Sequence, residues 1–289
     1  MDHARITSWL LCGPATFFAA LGCVAPGTVH ADDARSRSTR ASITLSAMDF
    51  GYKEFSDTGR LLDQEYGVLP GIGIALEWSR QAWVVWGGIS YYAGTVTYDG
   101  QTNLGNPIST DTATTLWDGQ VRLGRHFGSE AGQITPYLGF AYHYWNRDIL
   151  PTQTASGRYV SGLNEIYRWY SFDLGILAMA TTHVPGLRIG LDVRGFQIKR
   201  PTMELMPANG YDGTTLALGE ERGWYLGLPI DYSLNGSTAL RVELYAETWG
   251  FGRSATQKLT SGGVVVGSVY EPQSETRVYG LVIGLNRQF

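Results

Sequence analysis

The sequence predicts an all-β fold, a ten-stranded antiparallel transmembrane β-barrel of up-and-down meander topology that follows a cleaved signal peptide. Three observations carry this prediction. From about Ala41 onward, apolar residues recur with period two far more than with period 3.6. The alternating segments run to about 13–17 residues, beyond the ~5–6 usual for soluble strands and enough to cross a bilayer at a tilt. The 289 residues include 37 Gly, 17 Tyr and 9 Trp, and only 17% are charged, against ~25% in ordinary soluble domains.

Residues 1–31 read as the signal peptide. Arg5 gives a weakly basic start, Trp9-Leu10-Leu11 and Phe17-Phe18-Ala19-Ala20-Leu21 form a broken apolar stretch, and Val29-His30-Ala31 supplies small residues ahead of a cut before Asp32. Residues 32–41 then form a short periplasmic lead into a barrel over 42–289. Cys12 and Cys23 both fall in the removed part. The mature chain therefore has no disulfide and no Cys-based metal site, and the fold must be held by something else. A closed ladder of strand hydrogen bonds meets that need.

The first strand, 42–56, is less clean than the rest, with apolar residues on both faces. In 66–79, Tyr66, Val68, Pro70, Ile72, Ile74, Leu76 and Trp78 form one face. The strand 82–98 again mixes its faces. In 114–128, Trp117, Val121, Leu123 and Phe127 oppose Asp118, Gln120, Arg122 and His126. In 134–147, Leu138, Phe140, Tyr142 and Tyr144 oppose Tyr137, His143, Trp145 and Arg147. In 165–181, Tyr170, Phe172, Leu174 and Ile176 oppose Ser171 and Asp173, and in 187–200 Leu187, Ile189, Leu191 and Val193 oppose Arg188, Asp192 and Arg194. The alternation continues through 222–234 and 239–253, where Glu243 and Glu247 share a polar face, and ends in 276–289. Short connections, such as Asn235-Gly236-Ser237, alternate with long ones near 57–65, 99–113, 148–164, 201–221 and 254–275.

The apolar face must be the outer one. It begins and ends in Tyr and Trp, as girdles at two membrane interfaces require. The opposite face carries Arg122, His143, Asp173, Asp192, Arg194, Glu243 and Glu247, too many charges for a dry core unless they pair or meet water. These seven form the predicted lumen network, with Arg194 expected to pair with Asp192 or Asp173. Inward Trp86, Tyr92, Trp145, Trp169, Phe196, Tyr245 and Trp249 take up lumen volume and favour a plug over a passage.

At the C-terminus, Tyr279, Leu281, Ile283 and Leu285 alternate outward and the chain stops at Phe289. This resembles the C-terminal assembly signal of bacterial outer-membrane barrels, and the general plan resembles their opacity-protein and small-porin relatives. Arg287 departs from the pattern. The resemblance implies export through the periplasm, insertion by the barrel-assembly machinery, and outer-membrane lipid and lipopolysaccharide as surroundings. Ten strands are also the number in the omptin proteases, which work through an Asp–His couple and a further Asp pair at the extracellular rim. No omptin motif is carried here.

No cofactor motif, G-x-S-x-G elbow, H-E-x-x-H or P-loop appears in the sequence, and no metal-ligand spacing stands out. His143 is the one mature histidine placed toward the outer half, within reach of Asp118 or Glu165. A net charge of −4 supplies no basic surface for nucleic acid. The sequence thus points to a non-enzymic barrel whose extracellular loops serve a structural or surface-interaction role, with a narrow solute channel as the alternative and a surface hydrolase third. Mass spectrometry of the mature protein from outer membranes should find Asp32 as its first residue; an N-terminus at Met1 would contradict the assigned cleavage.

Overall fold

The structure, a computed structural model, describes residues 38–102, 105–129, 131–208 and 210–289. The cleavage site lies outside these residues. Ten long strands follow one another: β1 Ser38–Phe55, β2 Leu61–Arg80, β3 Trp83–Gln101, β4 Pro107–Arg125, β5 Gly132–Ile149, β6 Leu163–Thr181, β7 Leu187–Leu205, β8 Arg222–Ser233, β9 Thr238–Phe251 and β10 Gln273–Gln288. Each pairs antiparallel with the next. Pairing of β1 with β10, from Arg40↔Gln288 to Phe55↔Gln273, closes the barrel. Closure satisfies the main-chain donors and acceptors around the whole circumference, which a strand protein in lipid requires.

The faces are inverted relative to a soluble protein. Leu45, Leu138 and Leu174 are each more than 60% exposed, whereas Arg147 and Glu65 are at most 2% exposed. Outward Tyr66, Trp117, Tyr142, Tyr144, Tyr170 and Tyr279 stand toward one rim, and Trp78, Trp83, Phe127 and Tyr232 toward the other. On β2, Tyr66 and Trp78 are twelve residues apart. That spacing is about 40 Å along a strand and ~28 Å across a membrane at a tilt of ~45°, matching the apolar band of such barrels.

Several strands run further than the apolar alternation suggests. The stretches 57–65 and 99–113, expected as loops, are largely ladder: β2 starts at Leu61, β3 reaches Gln101, and Asp99↔Ser109 continues the pairing into β4. Above the outer girdle no lipid touches the wall, so both faces turn polar while the hydrogen-bonded ladder persists. β7 makes the same passage through a bulge between Lys199 and Thr202, where Arg200 takes a left-handed φ of 50°. There Glu220 accepts hydrogen bonds from the Arg200 amide (3.1 Å) and the Lys199 ammonium (2.5 Å). β1 begins at Ser38 rather than 42, because Ser38–Ala41 pair with Ser79–Leu76.

Inward rings cross the lumen where a glycine on the neighbouring strand leaves room for them. A methyl group at Gly71 would overlap the Tyr92 ring, and one at Gly280 the Tyr245 ring. The two hydroxyls then meet at 3.5 Å, although β3 and β9 lie almost opposite each other in the barrel.

This facing assignment has a direct test. Leu174→Arg and Leu191→Arg are each expected to cost about 2–4 kcal/mol of folding stability in lipid vesicles, as a cation at mid-bilayer should. Ser109→Arg, above the girdle, should change it little. Equal stability of all three would refute the assignment.

Candidate functional site

The described lumen is organised in layers, each built by strands that bring one or two polar side chains inward. The outermost layer lies above the outer aromatic girdle. The β1–β2 hairpin supplies Glu54, Asp63 and Glu65, β5 supplies Arg147, and β6 supplies Glu165 and Tyr167. Arg147 Nη1 donates to Glu54 (2.8 Å) and Glu165 (2.7 Å), and its Nε donates to Glu65 (2.8 Å). Asp63 stands 3.6 Å from Nη2. Glu65 also accepts from Thr112 at 2.7 Å, and Tyr52 donates to Glu54 at 3.0 Å. The Tyr167 hydroxyl reaches Glu271, in the connection before β10, at 2.6 Å. One guanidinium thus serves four carboxylates, with a fifth linked through a tyrosine.

Burial sets the protonation of this layer. It pushes Glu54 up to about 8, with the Asp63 charge adding to the effect and Arg147 only partly offsetting it. Glu271, buried and facing Glu54 and Glu165, is likewise raised well above the ordinary carboxylate range.

Below the cluster lies an aromatic layer. Trp145 packs edge-on against Phe50 and Tyr52 of β1 and stacks on Tyr167, which in turn stacks on Phe251 of β9. Trp145 and Tyr167 face each other across the paired strands β5 and β6, whereas the contacts of Trp145 with β1 and of Tyr167 with β9 join strands that are not neighbours and cross the bore.

His143 follows. Its Nδ1 meets Asp118 at 2.5 Å, its Nε2 lies 3.2 Å from the Ser171 hydroxyl, and its ring stacks on Trp169. Of the two acids within predicted reach, Asp118 is its partner, while Glu165 belongs to Arg147. The order Asp118–His143–Ser171 has the connectivity of a nucleophile, base and orienting acid. Ser171, however, also donates to Asp173 at 2.9 Å and is 2% exposed. The arrangement can relay a proton along a chain of hydrogen bonds.

The innermost layers hold the remaining predicted network residues. Arg122 Nη1 lies 3.5 Å from Asp192, which accepts from Tyr137 at 2.6 Å. Arg194 meets Glu247 at 3.5 Å, not Asp192 or Asp173 as expected. Register explains the correction. Arg194 pairs across β7–β8 with Tyr225, and Tyr225 pairs across β8–β9 with Glu247. The guanidinium lies over the Tyr225 ring, 4.2 Å from its centroid, and reaches the next strand. Glu243 accepts from Arg241 (2.8 and 3.0 Å) and from Tyr225 (2.5 Å). Sequence reasoning did not single out Arg241, Arg147, Ser171 or the acids of the β1–β2 hairpin. Inward parity on β5 and β9 was the available signal for Arg147 and Arg241.

At the C-terminus Tyr279, Leu281, Ile283 and Leu285 are exposed on the outer face, and the Phe289 amide donates to Thr39 of β1 at 2.8 Å.

The outer connections carry structure of their own. Thr214–Ala217 pairs with β7, and Gln257–Ser261 pairs with Val264–Val269 in a separate hairpin. The carboxylate of Asp212, from the β7–β8 connection, accepts the amides of Gly262 (3.1 Å) and Gly263 (2.9 Å) at the hairpin turn. These amide bonds hold Asp212 below the usual carboxylate range. Arg253 joins the same region to Asp57 at 3.1 Å and lies over Tyr270.

No protein-family model matches the sequence, and no curated protein matches it. Among solved structures, the outer-membrane protease OmpT from Escherichia coli is similar, with a TM-score of 0.57 at 12% identity over 87% of this chain and 97% of that one. OprG from Pseudomonas aeruginosa gives a TM-score of 0.41 at 10% identity, covering 87% and 95%. The translocator domain of NalP from Neisseria meningitidis gives 0.43 at 11%, covering 86% and 88%. The fold is that of a bacterial outer-membrane β-barrel.

The acidic layer has a pH signature. In the folded barrel Glu54 and Glu271 hold protons that the unfolded chain, with ordinary carboxylates, releases near pH 4.5. Folding therefore takes up protons, and stability falls as pH rises from about 4.5 through about 8. Urea unfolding is expected to show a lower midpoint at pH 9 than at pH 6, with the difference reduced in Glu54→Gln. A midpoint that rises with pH would contradict this charge state.

Proposed function

We propose that this protein is a plugged, non-enzymic outer-membrane barrel that acts through its structured extracellular connections. The observation that carries the reading is the bridging of the bore by side chains from opposite walls: Arg147 to the β1–β2 hairpin, Trp145 to Phe50, and Tyr92 to Tyr245. A ten-stranded barrel is only slightly wider than the eight-stranded case that side chains fill. Three such bridges at successive heights leave little room for solute. Function then falls to the rim, where a mutually bonded set of connections presents a fixed surface.

The similarity to a protease supports the fold and carries no residue across. His143 and Ser171 lie inside the wall, not at the rim, which supports reading their contacts as structural. A narrow passage for small polar solutes is the second reading. It is favoured by Gln120, which is exposed although it shares the inward face with Asp118 and Arg122.

Two assays on the refolded barrel separate these readings. Planar-bilayer recordings are expected to show no stable ohmic steps, and panels of fluorogenic peptides and p-nitrophenyl esters no turnover. Regular conductance steps would establish the channel reading instead, and turnover abolished by His143→Ala would establish the enzyme.

A further inference from the structure

The outward cations differ between the two rims. At the rim of the long connections, carboxylates in the wall match them: Arg168 meets Glu204 at 2.7 Å, Lys199 meets Glu220 at 2.5 Å and Arg277 meets Glu275 at 2.6 Å. Arg222 donates to Gln197 at 3.4 Å, and Lys53 lies opposite Glu275 in the ladder. At the rim of the short connections the outward cations are Arg80, Arg125 and Arg287, and none of the three has a carboxylate in ion-pair range among the described residues. The outward rows Leu76-Trp78-Arg80, Leu123-Arg125-Phe127 and Ile283-Leu285-Arg287 hold no acid, while Glu77 and Asp231 turn inward to Trp86 and Arg241. Of the short connections only that between β4 and β5 carries an acid, Glu130, which lies outside the described residues.

Two of these arginines are arranged around one ring. A tight turn through Gln81, at a left-handed φ of 55°, and Ala82 sets Arg80 opposite Trp83, and Trp83 is in turn opposite Arg125 on β4. The Arg125 guanidinium lies 5.6 Å from the Trp83 ring centroid and 5.4 Å from that of Phe127. Two strand spacings separate the arginine backbones by ~10 Å, with the Trp83 ring between them. Stacking on aromatic faces holds a guanidinium in place without using its N–H donors.

We propose that Arg80, Trp83 and Arg125 form a binding site for an anionic glycerophospholipid, in the leaflet on the side of the short connections. The phosphodiester lies between the two guanidinium groups, and the glycerol and upper acyl chains pack on Trp83 and Phe127. Position decides what covers the site. Trp83 and Phe127 are exposed on the lipid-facing wall, at the height of the inner aromatic girdle, where lipid headgroups meet such a barrel. Charge decides which lipid. The arginine fork matches phosphate oxygens. An ethanolamine headgroup would also bring an ammonium, which meets two arginines and no carboxylate, so a net-negative headgroup is preferred to a zwitterionic one. The same charge excludes a second copy of the barrel, because a symmetric contact here would set arginine against arginine. The site lies on the outer wall and does not depend on whether the bore is plugged.

The test uses the full refolded barrel in nanodiscs of equal parts palmitoyl-oleoyl phosphatidylglycerol and palmitoyl-oleoyl phosphatidylethanolamine. Native mass spectrometry counts the lipids that stay on the barrel after its release. Phosphatidylglycerol is expected to be retained at least about fivefold over phosphatidylethanolamine, and Arg80→Gln with Arg125→Gln should remove most of that preference. Arg168→Gln with Lys199→Gln, at the opposite rim, should leave it in place. Heat-modifiable gel mobility reports that each variant still forms the barrel. Arg80 and Arg125 are exposed and hold no ion pair, so either single variant serves if the double one fails to insert; each is then expected to lower the preference at least about twofold. Equal retention of the two lipids would overturn the proposal. So would a preference that survives loss of Arg80 and Arg125, or one that disappears with Arg168 and Lys199 instead, since the lipid would then sit at the other rim.

Discussion

Among the described residues, Arg147 is the one cation within ion-pair range of Glu54, Asp63, Glu65 and Glu165. Its side chain is 2% exposed, and its guanidinium reaches from β5 to β1 and β2, most of the way across the barrel. Carboxylates crowded this closely can neither all ionise nor go unpaired. The layer persists by dividing one positive charge among several acids and keeping protons on others. That single arrangement ties the β1–β2 hairpin, β5, β6 and the connection before β10 into one extramembrane collar. The connection that carries the hairpin fixed by Asp212 joins this collar through Glu271.

Beneath the collar the balance of forces changes. The wall gains stability by exposing leucine, isoleucine and valine to lipid, so the interior is free to be polar provided its groups find partners. Arg122, Arg194 and Arg241 each lie near a carboxylate and a tyrosine ring or hydroxyl, so charge and volume are satisfied together. Glycine serves the same packing. At Gly71 and Gly280 the missing side chain is what admits a ring from a neighbouring strand into the bore. The high glycine and tyrosine content is in this sense one feature of the sequence, not two.

Much of the wall was legible because lipid writes a strict period-two pattern. Tyr66 to Trp78 on β2 and Leu187 to Val193 on β7 announce strand, face and membrane in one stretch. Legibility stopped where lipid stops. Asp63 and Glu65 sit in a stretch expected to be loop, since above Tyr66 the run Leu61-Leu62-Asp63-Gln64-Glu65 shows no apolar–polar alternation. The collar was therefore invisible, although Arg147 was recognised as facing inward. Pairing within the lumen was hidden for another reason: it depends on register across two strands. Arg194 and Asp192 are close in sequence and share a face, yet Arg194 lies in the row of Tyr225 and Glu247, which only the closed ladder reveals. The order Asp118–His143–Ser171 was half legible, through the spacing of His143 and Asp118 across one hairpin.

The most direct test of this account is a charge-compensation experiment on the collar, read by urea unfolding of the refolded barrel at constant pH. Arg147→Met alone strands several buried acids and should cost at least ~3 kcal/mol. Adding Glu54→Gln, Glu65→Gln and Glu165→Gln to that variant should return most of the loss, because the acids then no longer need the cation. If Arg147→Met were neutral, or if the three glutamines deepened the loss instead of relieving it, the shared-charge collar would not be what holds the extracellular half together.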